Sequence, residues 1–235
     1  MFETTIRAGV LQVSSENCRW FSTTWNGGYS TGNVAYAITV PEGWNETDLN
    51  EYQKIRRERA EFVGTGPTLF TGVSLDHVRG ARADSIEVYA TVGLSNPATL
   101  PMETTDSEAE PYVGDDEYFA GTVNLIVGTT RALTDGALGN LLATVIEAKT
   151  ATLMAETGFT GTTSDAVVVA SDPAGERARF VGSATRIGNA TRACVRDAVR
   201  ASLASRYPAS EYPNTIDEAE YGVITSQRTE VFQIR

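Results

Sequence analysis

The stretch Leu133–Ser171, "LTDGALGNLLATVIEAKTATLMAETGFTGTTSDAVVVAS", reads as a helix, a glycine stop, a hydroxyl-rich turn and a short apolar strand. Thr134 or Asp135 can cap a helix over 135–157, and Gly158 can end it. Ala166–Ala170 is continuously apolar and built from small residues, the pattern of a strand buried on both faces. A helix leading into a doubly buried strand sets the class as α+β or mixed α/β, with a largely antiparallel or mixed sheet covered by helices from the C-terminal half.

On a helical wheel, Leu138, Leu141, Leu142, Val145, Ile146 and Leu153 share one arc of that helix, and Lys149 points into its middle. An ammonium among core residues must snorkel to water, find a partner or lose its proton. Glu147 falls on the opposite side among small neighbours, so Glu147 and Lys149 face different surroundings.

Upstream, strands are expected at Phe2–Ser15, Arg19–Trp25, Asn33–Val40, Thr68–Ser74, Ser85–Gly93 and Thr122–Gly128, with a polar helix over Glu46–Glu61. An acidic, proline-bearing excursion spans Met102–Glu117. Downstream, a helix with an arginine-bearing outer face is expected over Ser183–Arg206, and a last strand over Tyr221–Ile234. No repeat or low-complexity block divides the chain, and one domain over 1–235 suffices.

The 235 residues carry a formal charge of −11, which argues against binding a nucleic-acid backbone. Only Lys54 and Lys149 are lysines among 19 basic residues, against 30 acids, a surface suited to concentrated salt. No apolar run approaches membrane-spanning length and no secretory leader is visible, so a cytoplasmic location is expected. Cys18 and Cys194 match no disulfide or CxxC framework and read as buried thiols. With His77 as the one histidine, neither a zinc site nor a Ser/His/Asp triad is expected, and no metal is assigned.

Six blocks in order carry a family likeness: "STTWNGGYS" (Ser22–Ser30), "GLSNPA" (Gly93–Ala98), "GTVNLIV" (Gly121–Val127), "LTDGALGNLLATVIEAKTATL" (Leu133–Leu153), "GTTSDAVVVAS" (Gly161–Ser171) and "FVGSATRIG" (Phe180–Gly188). Together they resemble the adenosylcobinamide amidohydrolases of corrinoid salvage. The resemblance implies hydrolysis of the amide joining the aminopropanol arm to the corrin ring, giving adenosylcobyric acid and aminopropanol or its phosphate. It implies no resident cofactor, since cobalt arrives with the corrinoid substrate. A corrinoid-binding protein without catalysis, or an amidohydrolase acting on other cobamides or amides, are the alternatives. A homo-oligomer is a further possibility.

Amide hydrolysis needs an activated nucleophile, donors for an oxyanion and an acid for the leaving amine. Asp165, at the start of the buried strand, is the first candidate base, and its rival role is to hold the turn. Thr162, Thr163 and Ser164 supply hydroxyls for attack or oxyanion binding. Lys149 suits an amine base or a proton donor, and Glu147 is the alternative base. Substrate contacts are expected from Ser95, Asn96, Thr122 and Asn124 at strand ends, and from Gly27 and Gly28, where backbone could approach a flat ligand. Asp76 directly precedes His77, which breaks the Asp-x-His spacing of a cobalt-ligating loop, so His77 is not assigned to cobalt.

Overall fold

The computed structural model describes residues 2–103, 122–219 and 221–234. Most of the expected acidic excursion, and Gly121, fall outside the described residues. In chain order the elements are β1 (Glu3–Arg7), β2 (Val10–Ser22), β3 (Gly28–Thr39), α1 (Leu49–Arg59), β4 (Thr68–Thr71), β5 (Arg79–Ala83), β6 (Ile86–Val92), β7 (Pro97–Thr99), β8 (Val123–Thr129), β9 (Ala132–Leu133), α2 (Asp135–Thr157), β10 (Gly161–Thr162), β11 (Ala166–Ser171), β12 (Arg177–Ala178), α3 (Arg186–Arg206) and β13 (Val223–Ile224).

The main sheet runs β4-β3-β2-β11-β8-β6-β5, with β1 also paired to β2. Two of its pairings, β11 with β8 and β3 with β4, are parallel, and the others are antiparallel. The fold is therefore mixed α/β, as the sequence indicates. Helix α2 is the crossover between parallel β8 and β11, which places its C-terminal half over the N-terminal ends of both strands.

Strand alternation sorts the core. Leu125, Val127, Val167 and Val169 face α2 and α3, packing on Leu138, Leu141, Val145, Leu153, Val195 and Val199. Ile126, Ala166, Val168 and Ala170 face the other way, toward Trp20, Leu11, Val13 and Leu69. The sheet folds over that second face: Asn124 Nδ2 on β8 donates to the Phe70 carbonyl on β4 at 2.8 Å, and the Thr71 and Thr91 hydroxyls meet at 3.4 Å. Helix α1 packs outside this fold-over, on Val10, Tyr36, Ile38 and Phe70.

Helix α2 has the bounds its sequence predicts. Thr134 Oγ1 accepts from the Ala137 N–H at 3.3 Å, and Gly158 adopts a left-handed φ of 79°. Cys18 and Cys194 are both free and buried.

Two expectations need correction, and one strand lies outside them. The single strand Phe2–Ser15 is a hairpin, because Ala8 (φ 47°) and Gly9 (φ 73°) turn the chain and pair β1 with β2. The closing strand Tyr221–Ile234 shrinks to Val223–Ile224, which pairs with β7 and leaves Val231, Phe232 and Ile234 exposed. Strand β5 was not foreseen, because its "RGARA" lacks β-forming side chains and its place at the sheet edge does not require them.

Candidate active site

The residues with chemistry gather at the end of the sheet where β6 finishes and β8 and β11 begin. Lys149 is part of the buried spine of α2, in step with Val145 and Leu153, and its aliphatic stem is covered by the same packing. Its ammonium does not snorkel: the residue is 5% exposed, and Nζ pairs with Asp165 Oδ2. Asp165 is the last residue before β11, so the strand that supplies the core also anchors the carboxylate. The Asp165 side chain retains 15% of its exposure.

Short β10 builds the wall beside this pair. It pairs antiparallel with β7, Gly161 opposite Ala98 and Thr162 opposite Pro97. Backbone bonds from Thr160 to Ala98 (3.0 Å) and from Thr163 to Asn96 (3.1 Å) bracket that register. The Thr162 N–H points at both Asp165 carboxylate oxygens, 3.2 Å from each, and the Thr162 hydroxyl donates to Asp165 Oδ1. Asp165 therefore holds the turn by accepting the Thr162 N–H while its carboxylate stays in contact with a hydroxyl.

A line of polar groups leads away from the carboxylate. Thr122 Oγ1 lies 2.6 Å from Thr162 Oγ1 and 2.6 Å from Asn96 Oδ1. Asn96 Nδ2 donates to Thr163 Oγ1 at 2.6 Å and to Ser164 Oγ at 3.1 Å. Thr122, Thr162 and Asn96 are all buried, and Thr163 is exposed. Buried polar groups linked in this way hold one another in fixed geometry.

Seven of the sequence candidates thus converge: Lys149, Asp165, Thr162, Thr163, Ser164, Asn96 and Thr122. The others do not join them. Glu147 lies on the outer face of α2, half exposed, with its carboxylate 3.4 Å from Arg192 of α3. Asn124 turns to the opposite face of the sheet, toward Phe70, and its buried Oδ1 has no hydrogen-bond partner among the described residues. Gly27 and Gly28 line a separate hollow of about 240 Å³ with Ser22, Thr24, Trp25 and Thr68. A Cβ on Gly27 would lie 2.4 Å from the Ser22 carbonyl, and Gly28 has φ 107°, so both shape the loop between β2 and β3. Ser95 adjoins Asn96 along the chain, and its carbonyl accepts from the Tyr221 N–H at 3.1 Å.

Gly161 is the site residue that sequence reasoning passed over. A Cβ there would sit 2.5 Å from Asp165 Oδ2 and 3.0 Å from Lys149 Nζ, in the space the ion pair fills. Its signal was the glycine two residues beyond Phe159 in an otherwise hydroxyl-rich turn, which turn propensity alone already explains. His77 lies in a 3-10 turn, Leu75–His77, with Nδ1 3.1 Å from Ser205 Oγ. Among the described residues no three of His, Cys, Asp and Glu converge as metal ligands would, and no helix is long and apolar enough to cross a membrane.

A buried amine–carboxylate pair in contact with a threonine hydroxyl is equipment for moving protons at a carbonyl carbon. Comparisons with known proteins identify the family. Residues 2–211 match the family model described as adenosylcobinamide amidohydrolase. An adenosylcobinamide amidohydrolase of Halobacterium salinarum is 50% identical over 99% of this chain and 100% of its own length. A protein of the same name from Methanosarcina mazei is 26% identical over 79% of this chain and 90% of its own. The match covers the site and the whole frame that holds it, and the chain belongs to the adenosylcobinamide amidohydrolase family.

Proposed function

We propose that this protein hydrolyses the amide between the corrin ring and the aminopropanol arm of adenosylcobinamide, releasing adenosylcobyric acid and aminopropanol or its phosphate. The observation that carries this reading is the buried Lys149–Asp165 pair in contact with Thr162, in a chain 50% identical to an enzyme of that name. Asp165 is the proton acceptor and later the donor to the leaving amine. Lys149 pairs with the carboxylate and fixes it in place, and Gly161 leaves the room that the pair occupies.

Thr163 and Ser164, whose hydroxyls accept from Asn96 Nδ2, are the donors this reading assigns to the substrate's acyl oxygen. Glu147 has no part in this chemistry. Cobalt arrives with the corrinoid, so the hydrolysis asks for no resident cofactor, and neither nucleic acid nor membrane is a partner. The net charge of −11 and an arginine-for-lysine surface suit a protein working in a salt-rich cytoplasm.

The test is direct. Purified protein is incubated with adenosylcobinamide, and the free amine and the corrinoid acid are measured against a boiled control. Stoichiometric release of aminopropanol supports the reading. Tight binding with an intact amide refutes it in favour of a corrinoid-binding protein.

A further inference from the structure

The hydroxyl cluster has fewer protons than contacts. Asn96 Oδ1, Thr122 Oγ1, Thr162 Oγ1 and Asp165 Oδ1 stand in line, each close enough to the next for a hydrogen bond. An amide oxygen and a carboxylate bring no proton, so the two threonine hydroxyls supply two protons for three gaps. The carboxylate is the strongest acceptor in the line, because a charged acceptor roughly doubles the strength of the bond. The Thr162 proton therefore lies toward Asp165.

Thr122 has one proton and two acceptors at the same 2.6 Å, Asn96 Oδ1 and Thr162 Oγ1. While Thr162 is a neutral hydroxyl, it has no advantage in distance over the amide oxygen. Once Thr162 gives up its proton its oxygen becomes the better acceptor, and the Thr122 hydrogen turns to it. A bond that strengthens only as charge develops lowers the barrier without tightening substrate binding. Thr163 and Ser164 are arranged differently: both accept from Asn96 Nδ2.

We propose that Thr162 Oγ1 is the nucleophile and that hydrolysis passes through an ester between Thr162 and the corrin side-chain acyl group, which rests on the amidohydrolase reading above. Asp165 takes the Thr162 proton as Oγ1 bonds to the amide carbon. The carbon–nitrogen bond then breaks, and Asp165 returns that proton to the departing amine. A water attacks the ester carbon and gives a proton to Asp165, the ester carbon–oxygen bond breaks, and Thr162 recovers its hydrogen. The sum is amide plus water to acid plus amine. Thr122 is a positioning residue that acts through Thr162.

The experiment runs adenosylcobinamide with the wild type in the presence of hydroxylamine, beside Thr162→Ala, Thr162→Ser and Thr122→Val, each checked for native circular dichroism. An ester diverts part of the corrinoid product to a hydroxamate, and an acid-quenched single turnover leaves a corrinoid mass on the peptide containing Thr162. Thr162→Ala falls by about 10³-fold, and Thr162→Ser keeps measurable turnover and the adduct. Thr122→Val loses about 10-fold or more in kcat with KM within about threefold. Aminopropanol release without hydroxamate, together with Thr162→Ala within about tenfold of wild type, overturns the nucleophile and leaves the amidohydrolase standing. Adenosylcobinamide left intact by the wild type overturns both.

Discussion

Replacing Lys149 with Met keeps most of the side chain's volume and removes its charge, so it asks what the buried amine contributes. Truncating one partner of a buried ion pair costs about 3–5 kcal/mol, because the other charge is left without compensation. Asp165 is not fully sealed: its side chain keeps 15% of its exposure, and it still accepts the N–H and O–H of Thr162. The lower end of the range applies, about 3 kcal/mol, which for a chain of this size lowers Tm by roughly 6–12 °C. Turnover falls by at least about 100-fold, because the carboxylate that exchanges protons with Thr162 loses the charge that holds it. The loss of stability persists in molar KCl, since salt screens buried pairs little. The double variant Lys149→Met/Asp165→Asn regains part of the stability and none of the activity. Thermal unfolding and aminopropanol release measure both effects. A Lys149→Met protein that melts with the wild type and turns over at its rate refutes the pairing argument outright.

Gly161→Ala puts a methyl where Asp165 Oδ2 and Lys149 Nζ lie, and kcat drops by about 10- to 100-fold with a native circular dichroism spectrum. Glu147→Gln breaks only a half-exposed contact with Arg192, so its rate and its stability, within about 0.5 kcal/mol, match the wild type; a large loss of rate would bring Glu147 back as a base. His77→Ala likewise keeps full turnover, and loss of hydrolysis would reopen a cobalt role for it. Burial pushes both the Cys18 and Cys194 thiols above their ordinary value of 9.0. Their contribution to stability is whole below about pH 9 and is lost as pH rises, because the unfolded chain then gives up protons that the folded one keeps. Urea unfolding between pH 8 and 10 shows this decline, and it flattens in Cys18→Ala/Cys194→Ala. Removing KCl lowers Tm and solubility, in keeping with the relative from halophilic Halobacterium salinarum, and an unchanged melting curve would refute salt adaptation.

The parts of the fold that sequence shows well are those where local pattern and tertiary role coincide. The α2 boundaries follow from a capping threonine and a left-handed glycine, both local devices, and β11 from five small apolar residues that only a doubly covered strand can use. The hairpin of β1 and β2 is hidden because its turn, Ala8-Gly9, lacks the usual Asn-Gly signal and the flanking residues alternate straight through it. Strand β7 and its partners β10 and β13 are two or three residues each, too short for any periodicity to register, yet they fix Asn96 and Thr162.

The candidate site was legible to the same degree and for the same reason. Lys149 announces itself because it violates the helix pattern, and a charge in an apolar stripe demands a partner. What the pattern cannot say is which carboxylate answers. Glu147 is two residues away in sequence and Asp165 sixteen, but on a helix positions two apart diverge, while the crossover from α2 into β11 folds Asp165 back onto the buried face. Which carboxylate meets the amine is thus decided by chain topology. Asn96 and Asn124 make the same point: both sit near strand ends, and strand parity alone sends Asn124 under the sheet while the β7–β10 ladder draws Asn96 to Thr163. Residue types at strand ends therefore do not tell which way a side chain faces. Facing decides which hydroxyl meets Asp165, and through that contact the resting protein already directs the Thr162 proton to its acceptor.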